Sequence, residues 1–296
     1  MSGAVIQSLT EGATDATRLA KLLGVQMHGI DVQRFPDGEL RVTVGPAAAT
    51  TILYMPLDRP NDKLVALLFA AEALRRGGAE RLVLVAPYLC YMRQDKAFRG
   101  GEAISQKAIG KLLASTVDRV ITVDAHLHRT HDIRDVFPGI EAEDLSAMPA
   151  IAEALSGIDR RTVVVGPDEE SEAWVSDLSG RLGLAHAVGR KTRAGDRSVQ
   201  ISFAAAGLFK GRPALLVDDI VSSGGTLAVC ARALAAAGAG EVDAVITHAL
   251  FPPEMAQDFA RAGIRSIRST SSVPHPSNAI ALDGTLAAAL AKEIPA

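Results

Sequence analysis

One feature constrains the fold of this chain more than any other: short β-branched runs alternate with stretches whose apolar residues keep helical spacing. The runs lie at residues 51–55, 81–86, 120–123, 162–165, 214–217 and 242–247. Between them Ile104, Ala108 and Leu112 mark one helical stripe, and Trp174, Leu178 and Leu182 another. Strands separated by helices of this length predict βαβ units and mostly parallel sheets flanked by helices, an α/β protein. The 296 residues suit two domains of roughly 150 residues each.

An internal echo supports two similar halves. A helix over 62–76 closes on Gly77-Gly78 before the strand at 81–86, and a helix over 226–237 closes on Gly238 before the strand at 242–247. Upstream, ILYMPLDRPNDKL (from Ile52) and ALLVDDIVSSGGTL (from Ala214) both read as strand, polar turn, helix. Only the second has the glycines that let a backbone wrap a phosphate. One phosphate loop is therefore expected to be functional and its counterpart degenerate. A Pro-, Gly- and acid-containing stretch at 138–149 places the boundary, giving predicted domains 1–145 and 146–296.

Charge and composition narrow the function. The net charge of -3 gives no global positive field to draw the chain to nucleic acid or membrane. With aromatics at 4%, stacking platforms for single strands are scarce. No apolar run reaches the roughly 18 residues of a membrane span, and no Lys or Arg precedes Arg18. These features predict a cytoplasmic chain without a signal peptide. Cys90 and Cys230 sit in apolar contexts without zinc-type spacing and are expected to be buried, reduced thiols.

The strongest motif is Leu215 to Thr226. An apolar strand leads into Asp218 and Asp219, then Ser222, Ser223, Gly224, Gly225 and Thr226 turn into a helix. Small residues expose consecutive backbone N–H groups, and a helix N-terminus adds partial positive charge, so the turn suits a phosphate dianion. The carboxylates suit sugar hydroxyls or a divalent metal. Phosphate at one end and diol at the other describe a pentose 5-phosphate.

This segment resembles the phosphoribosyl diphosphate (PRPP) loop of the type I phosphoribosyltransferase superfamily. RFPDGEL (from Arg34), YMRQDKAFRGGEAISQKAIGKLL (from Tyr91), VDRVITVDAH (from Val117) and VGRKTRAGDR (from Val188) extend the likeness through nearly the whole chain. In this order they resemble the PRPP synthetase (ribose-phosphate diphosphokinase) family. The resemblance implies two phosphoribosyltransferase-like domains, an ATP side in the first and a ribose 5-phosphate side in the second. It implies diphosphoryl transfer from Mg-ATP to ribose 5-phosphate, and a homo-oligomer built from dimers.

Residue roles follow by the same resemblance. Phe35, Asp37 and Glu39, on a Pro36-Gly38 turn, reach ATP, as do Arg93, Gln94, Asp95, Lys96 and Arg99. The basic members neutralise phosphate, while Gln94 and Asp95 are candidates to read adenine or ribose. His126, at the end of VDAH, and Asp168, at the end of VVVGPD, are the Mg2+ ligands. His128 and His131 are expected to be solvated or locally hydrogen-bonded. Lys191 and Arg193 are the catalytic pair, on a mobile loop. Three departures from the family stand out: Ser222-Ser223 in the phosphate loop, Glu169-Glu170 after Asp168, and the whole stretch from Phe251 to Ile264. They leave open another sugar phosphate, a phosphoribosyltransferase, or a non-catalytic regulatory relative.

Overall fold

A computed structural model describes residues 3–194 and 198–294. Contacts divide the chain into two compact units. The first comprises residues 1–146, 272–274 and 282–296; the second comprises 147–271 and 275–281.

The first unit runs β1 (Ala4–Leu9), α1 (Ala13–Leu23), β2 (Gln26–Arg34), β3 (Leu40–Thr43), β4 (Thr50–Tyr54), α2 (Pro60–Arg76), β5 (Arg81–Ala86), α3 (Ser105–Ala114), β6 (Arg119–Val123) and β7 (Glu141–Leu145). Its seven-stranded sheet has the order β3-β2-β1-β4-β5-β6-β7. Every pairing is parallel except the β2–β3 hairpin. Central strands β4, β5 and β6 are buried on both faces, which is why they read as unbroken apolar runs.

The second unit runs α4 (Met148–Ala154), β8 (Val163–Gly166), α5 (Glu172–Leu182), β9 (Ala185–Val188), β10 (Arg190–Ala194), β11 (Ser198–Ser202), β12 (Ala214–Val221), α6 (Gly225–Ala236), β13 (Val242–Ala249), α7 (Ala256–Arg261), β14 (Ile264–Thr270) and β15 (Asn278–Ile280). Six strands form a parallel sheet, β15-β14-β13-β12-β8-β9, and β10 and β11 pair separately as an antiparallel ribbon. Read from its β2 end, the first sheet has the connectivity of the second: β2-β1-β4-β5-β6-β7 against β9-β8-β12-β13-β14-β15. The two halves repeat one plan.

All six predicted strands are present, β12 running four residues further than its apolar stretch because Asp218 and Asp219 stay in the ladder beside β13. The stripe chosen for α3 needs correcting. Ala108 is exposed, and the buried face is Gln106, Gly110 and Leu113. Gln106 is buried because both ends of its amide are used: Nε2 donates to the Met92 carbonyl (3.3 Å) and Oε1 accepts from Thr130 Oγ1 (2.9 Å).

The C-terminus also differs from expectation. The division falls at residue 146, inside the predicted 138–149 stretch, but residues from Leu282 onward return to the first unit. There α8 (Asp283–Leu290) packs on α1, and Arg18 Nε holds Asp283 at 2.6 Å. Beyond α8, Glu293 accepts from Arg81 (2.6 Å) and from Arg119 (2.9 Å), a guanidinium only 1% exposed.

Cys90 and Cys230 are free and buried, and burial pushes each thiol up to about 12. Since the thiolate is the reactive form, a water-soluble maleimide at pH 8 should label neither cysteine in the folded protein while labelling both in urea. Fast labelling of the folded protein would place a cysteine outside its core. No helix among the described residues is long and apolar enough to cross a membrane.

Candidate active site

In an open parallel sheet ligands sit beyond the carboxyl ends of the strands. The chemistry-bearing residues of each unit gather there.

In the second unit β8 ends at Gly166, and Pro167 delivers Asp168. Gly189 must be glycine at this edge: its N–H donates to the Gly166 carbonyl (2.9 Å), and a Cβ would stand 2.7 Å from the Pro167 carbonyl oxygen. Strand β12 brings Asp218 and Asp219 to the same end, and the chain then turns through Ser222, Ser223 and a left-handed Gly224 into α6. Ser222, Ser223 and Gly225 are exposed. The first N–H groups of α6 have no acceptor within their own helix. The strand, turn and helix read from the motif are therefore all present.

Lys191 joins this cluster from β10. Its Nζ lies 3.4 Å from Thr226 Oγ1 and 3.8 Å from Asp168 Oδ2. The expected loop is here a ribbon strand, with Lys191 opposite Ile201 of β11; Ile201 is buried against the core and ties the ribbon down. The Arg193 backbone belongs to β10, but its side chain lies outside the described residues. Burial, then the charges of Asp219 and Asp168, push the Asp218 carboxyl well above the usual carboxylate range, against the pull of Lys191. Three carboxyl groups thus meet one ammonium, a deficit of positive charge that suits a divalent cation.

In the first unit the β2–β3 hairpin presents Phe35, Asp37 and Glu39 at its exposed tip. The tip is closed by Phe35 N–H to the Glu39 carbonyl (2.8 Å) and Gly38 N–H to the Phe35 carbonyl (2.9 Å). After β5 and β6 the backbone is forced at Tyr91 (φ 63°) and Asp124 (φ 40°), left-handed values unusual for non-glycine residues. Strain of this kind persists where the surroundings over-determine it, often beside functional groups. Each strained residue directly precedes a motif, RQDK and AH.

Arg93, Lys96, Phe98 and Arg99 line the open side of the loop after β5, with Lys96 Nζ 4.9 Å from the centre of the Phe98 ring. Gln94 and Asp95 turn inward, contrary to the expectation that they read a nucleotide. Gln94 Oε1 accepts from Ser105 Oγ (2.8 Å). The Asp95 side chain, 1% exposed, accepts from Arg129 Nη1 (2.7 Å) and Arg129 N–H (3.1 Å). They brace the loops rather than meet solvent, because satisfying a buried carboxylate takes a fixed partner.

That partner, Arg129, is a functional candidate the sequence reading missed. Nothing local in the sequence links it to Asp95, 34 residues away. His126 is followed by a second imidazole: the Nε2 atoms of His126 and His128 are 2.7 Å apart, rings edge to face. His128 is thus hydrogen-bonded locally, as expected.

The first unit lacks a phosphate loop. Helices α2 and α6 both finish beside a left-handed glycine, Gly78 and Gly238, yet α2 has 17 residues and α6 has 12. The extra turns lie at the start of α2, where its counterpart has the Ser-Ser-Gly turn. Lys63, in the second turn, donates to the Pro56 carbonyl (2.9 Å) and Asp58 Oδ1 (2.6 Å).

Comparison with known proteins agrees with this geometry. Residues 4–116 match the family described as the N-terminal domain of ribose phosphate pyrophosphokinase, and residues 142–267 match the phosphoribosyl transferase domain. A ribose-phosphate pyrophosphokinase of Methanopyrus kandleri is 33% identical over 92% of this chain and 93% of its own. A second, ribose-phosphate pyrophosphokinase 2 of Archaeoglobus fulgidus, is 34% identical over 87% and 89%. The crystal structure of phosphoribosylpyrophosphate synthetase from Mycobacterium smegmatis superposes with a TM-score of 0.82 at 26% identity, covering 97% of both chains. With two domains in the family's order, and relatives matched over nearly their full length, the chain belongs to the ribose-phosphate pyrophosphokinase family.

Proposed function

We propose that this protein transfers the β,γ-diphosphoryl group of ATP to the C1 hydroxyl of ribose 5-phosphate, yielding AMP and 5-phosphoribosyl 1-diphosphate. The observation that carries the reading is the position of Lys191, within 3.4 Å of Thr226 at the start of α6 and 3.8 Å of Asp168. A cation held between an anion-binding turn and a carboxylate suits a phosphorus centre gaining charge.

The sugar oxygen bonds to the β-phosphorus while the bond from that phosphorus to the oxygen bridging it to the α-phosphorus breaks, in line. AMP leaves and the hydroxyl proton is released. No covalent enzyme intermediate is required; positioning and charge stabilisation carry the rate. Ser222 to Thr226 hold the 5-phosphate through backbone N–H groups and hydroxyls. Asp218 and Asp219 accept hydrogen bonds from the ribose. Phe35, Asp37, Glu39, Arg93, Lys96 and Arg99 serve ATP, with Gln94 and Asp95 as braces of their loop. Lys191 and Arg193 stabilise the transferring group.

His126 and Asp168 are the candidate ligands of Mg2+, and the excess of carboxylate around Asp218 supports a divalent cation. Bound there, Mg2+ neutralises charge on the diphosphate oxygens. Assembly as a homo-oligomer belongs to the same reading: Val65 and Phe69, one turn apart on α2, leave 39% and 45% of their surface exposed.

Phosphorus NMR of the protein with Mg-ATP and ribose 5-phosphate tests the proposal. The expected products are phosphoribosyl diphosphate and AMP in equal amounts. ADP as product would mean single phosphoryl transfer and overturn the reading. Turnover only with a different sugar phosphate would keep the chemistry and change the acceptor.

A further inference from the structure

The stretch between β13 and β14 has no role in the account so far, and it is where the sequence departs most from its family. It nevertheless touches the phosphate loop. Of residues 222–225 only Gly224 is buried, so the loop is pinned at that point. Gly224 has φ +64°, and a Cβ built on it would stand 2.4 Å from Cε1 and Cζ of Phe259 and 2.9 Å from Cε of Met255. The Phe259 ring lies against the loop backbone with no space for a side chain between them.

Phe259 cannot easily retreat. It is 1% exposed on α7 and meets Phe251 edge to face, with centroids 5.1 Å apart and planes at 89°. Phe251 in turn meets His275 at 4.4 Å. The His275 ring is fixed at both nitrogens: Nε2 donates to the Phe251 carbonyl (3.1 Å), and Nδ1 accepts from Ser277 N–H (3.1 Å). Burial also holds this imidazole below its ordinary pKa, which keeps Nδ1 an acceptor. A row of three rings therefore backs the turn, in a protein where aromatic residues are 4% of the chain. An anion site made of backbone N–H groups has no side chain to correct its aim, so whatever fixes the turn fixes the affinity.

We infer that Phe259 is a positioning residue for the sugar-phosphate loop: its ring holds the left-handed turn at Gly224 and so aims the N–H groups of the loop and of α6 at the 5-phosphate. This rests on the assignment of Ser222 to Thr226 as the 5-phosphate site. Other large apolar side chains at position 259 should serve in proportion to how well they fill the ring's place.

The test is steady-state kinetics of the intact enzyme with Phe259→Ala and Phe259→Leu, together with calorimetric binding of ribose 5-phosphate, below the melting range of each variant. Phe259→Ala should raise KM and Kd for ribose 5-phosphate at least about tenfold, with KM for ATP and saturated kcat changed no more than about twofold. Phe259→Leu should recover most of the loss. Equal falls in kcat and in affinity for both substrates would reduce Phe259 to ordinary packing and overturn the inference, as would an unchanged KM for the sugar.

If Phe259→Ala does not fold, Gly224→Ala read in the wild-type and Phe259→Leu backgrounds replaces it. The added methyl should cost more sugar affinity against the rigid ring than against leucine, and equal costs overturn the inference. Wild-type protein that neither binds nor turns over ribose 5-phosphate would instead remove the site assignment itself, an outcome distinct from a variant that binds as well as wild type.

Discussion

Lys191→Ala should lower kcat by about 10²- to 10³-fold while leaving the binding of ribose 5-phosphate within a few-fold. The ammonium stands 3.4 Å from the Thr226 hydroxyl and 3.8 Å from Asp168, at the edge of the loop rather than inside it. The loop's own N–H groups remain to hold the 5-phosphate when the lysine is gone. What is lost is a positive charge beside the centre where negative charge moves from the bridging oxygen to the leaving AMP. An interaction made mainly in the transition state lowers kcat and kcat/KM together and spares binding. Steady-state kinetics paired with calorimetry separate the two quantities. Unchanged turnover would remove Lys191 from the chemistry; a large loss of sugar affinity with kcat preserved would make it a ground-state phosphate ligand.

Glu293→Ala should cost the first unit about 3 kcal/mol of stability, because truncating one partner of a buried ion pair leaves the other charge uncompensated. Arg119 is the largest fully buried side chain of the protein. It donates to Glu293 and, from Nη1 and Nη2, to the Ala289 carbonyl at 3.3 Å, and it also bonds Glu143. Those remaining partners keep the cost at the lower end of the usual range.

The effect has a defined pH dependence. Hydrogen bonds from Arg81, and then from Arg119, outweigh burial and hold the Glu293 carboxyl below its unfolded value of 4.5. A depressed folded pKa means the carboxylate stabilises fully above about pH 4.5 and loses that contribution as pH falls through the folded value. Urea midpoints should therefore differ strongly between wild type and Glu293→Gln at pH 7, and the gap should narrow at pH 3. A gap independent of pH would show that the side chain acts by packing alone.

The sequence disclosed those parts of the fold that the physics writes locally. Strands β4, β5, β6, β8, β12 and β13 are sheet interior, and residues buried on both faces must all be apolar. Edge strands such as β2, β3 and β7 carry polar residues on their open side and pass for loop; Glu141, Glu143 and Asp144 all lie in β7. The return of the C-terminus was invisible because an acid such as Glu293 becomes informative only once its partners, Arg81 and Arg119, are known. The site divides in the same way. A phosphate turn is contiguous, so Ser222 to Thr226 could be read directly, whereas the bracing of Asp95 by Arg129, and of Gly224 by Phe259, joins residues 34 and 35 positions apart that no spacing rule connects.

The longer α2 has a stoichiometric consequence. A duplicated fold would ordinarily offer two equivalent hollows for the same anion, and the two would compete for a scarce metabolite. Here one hollow is filled by the chain itself: the opening turns of α2 take the room, and Lys63 spends its charge on Asp58 and the Pro56 carbonyl. Each polypeptide is thereby left with a single vacancy for the pentose, and the sister lobe is released from sugar binding to specialise on the nucleotide.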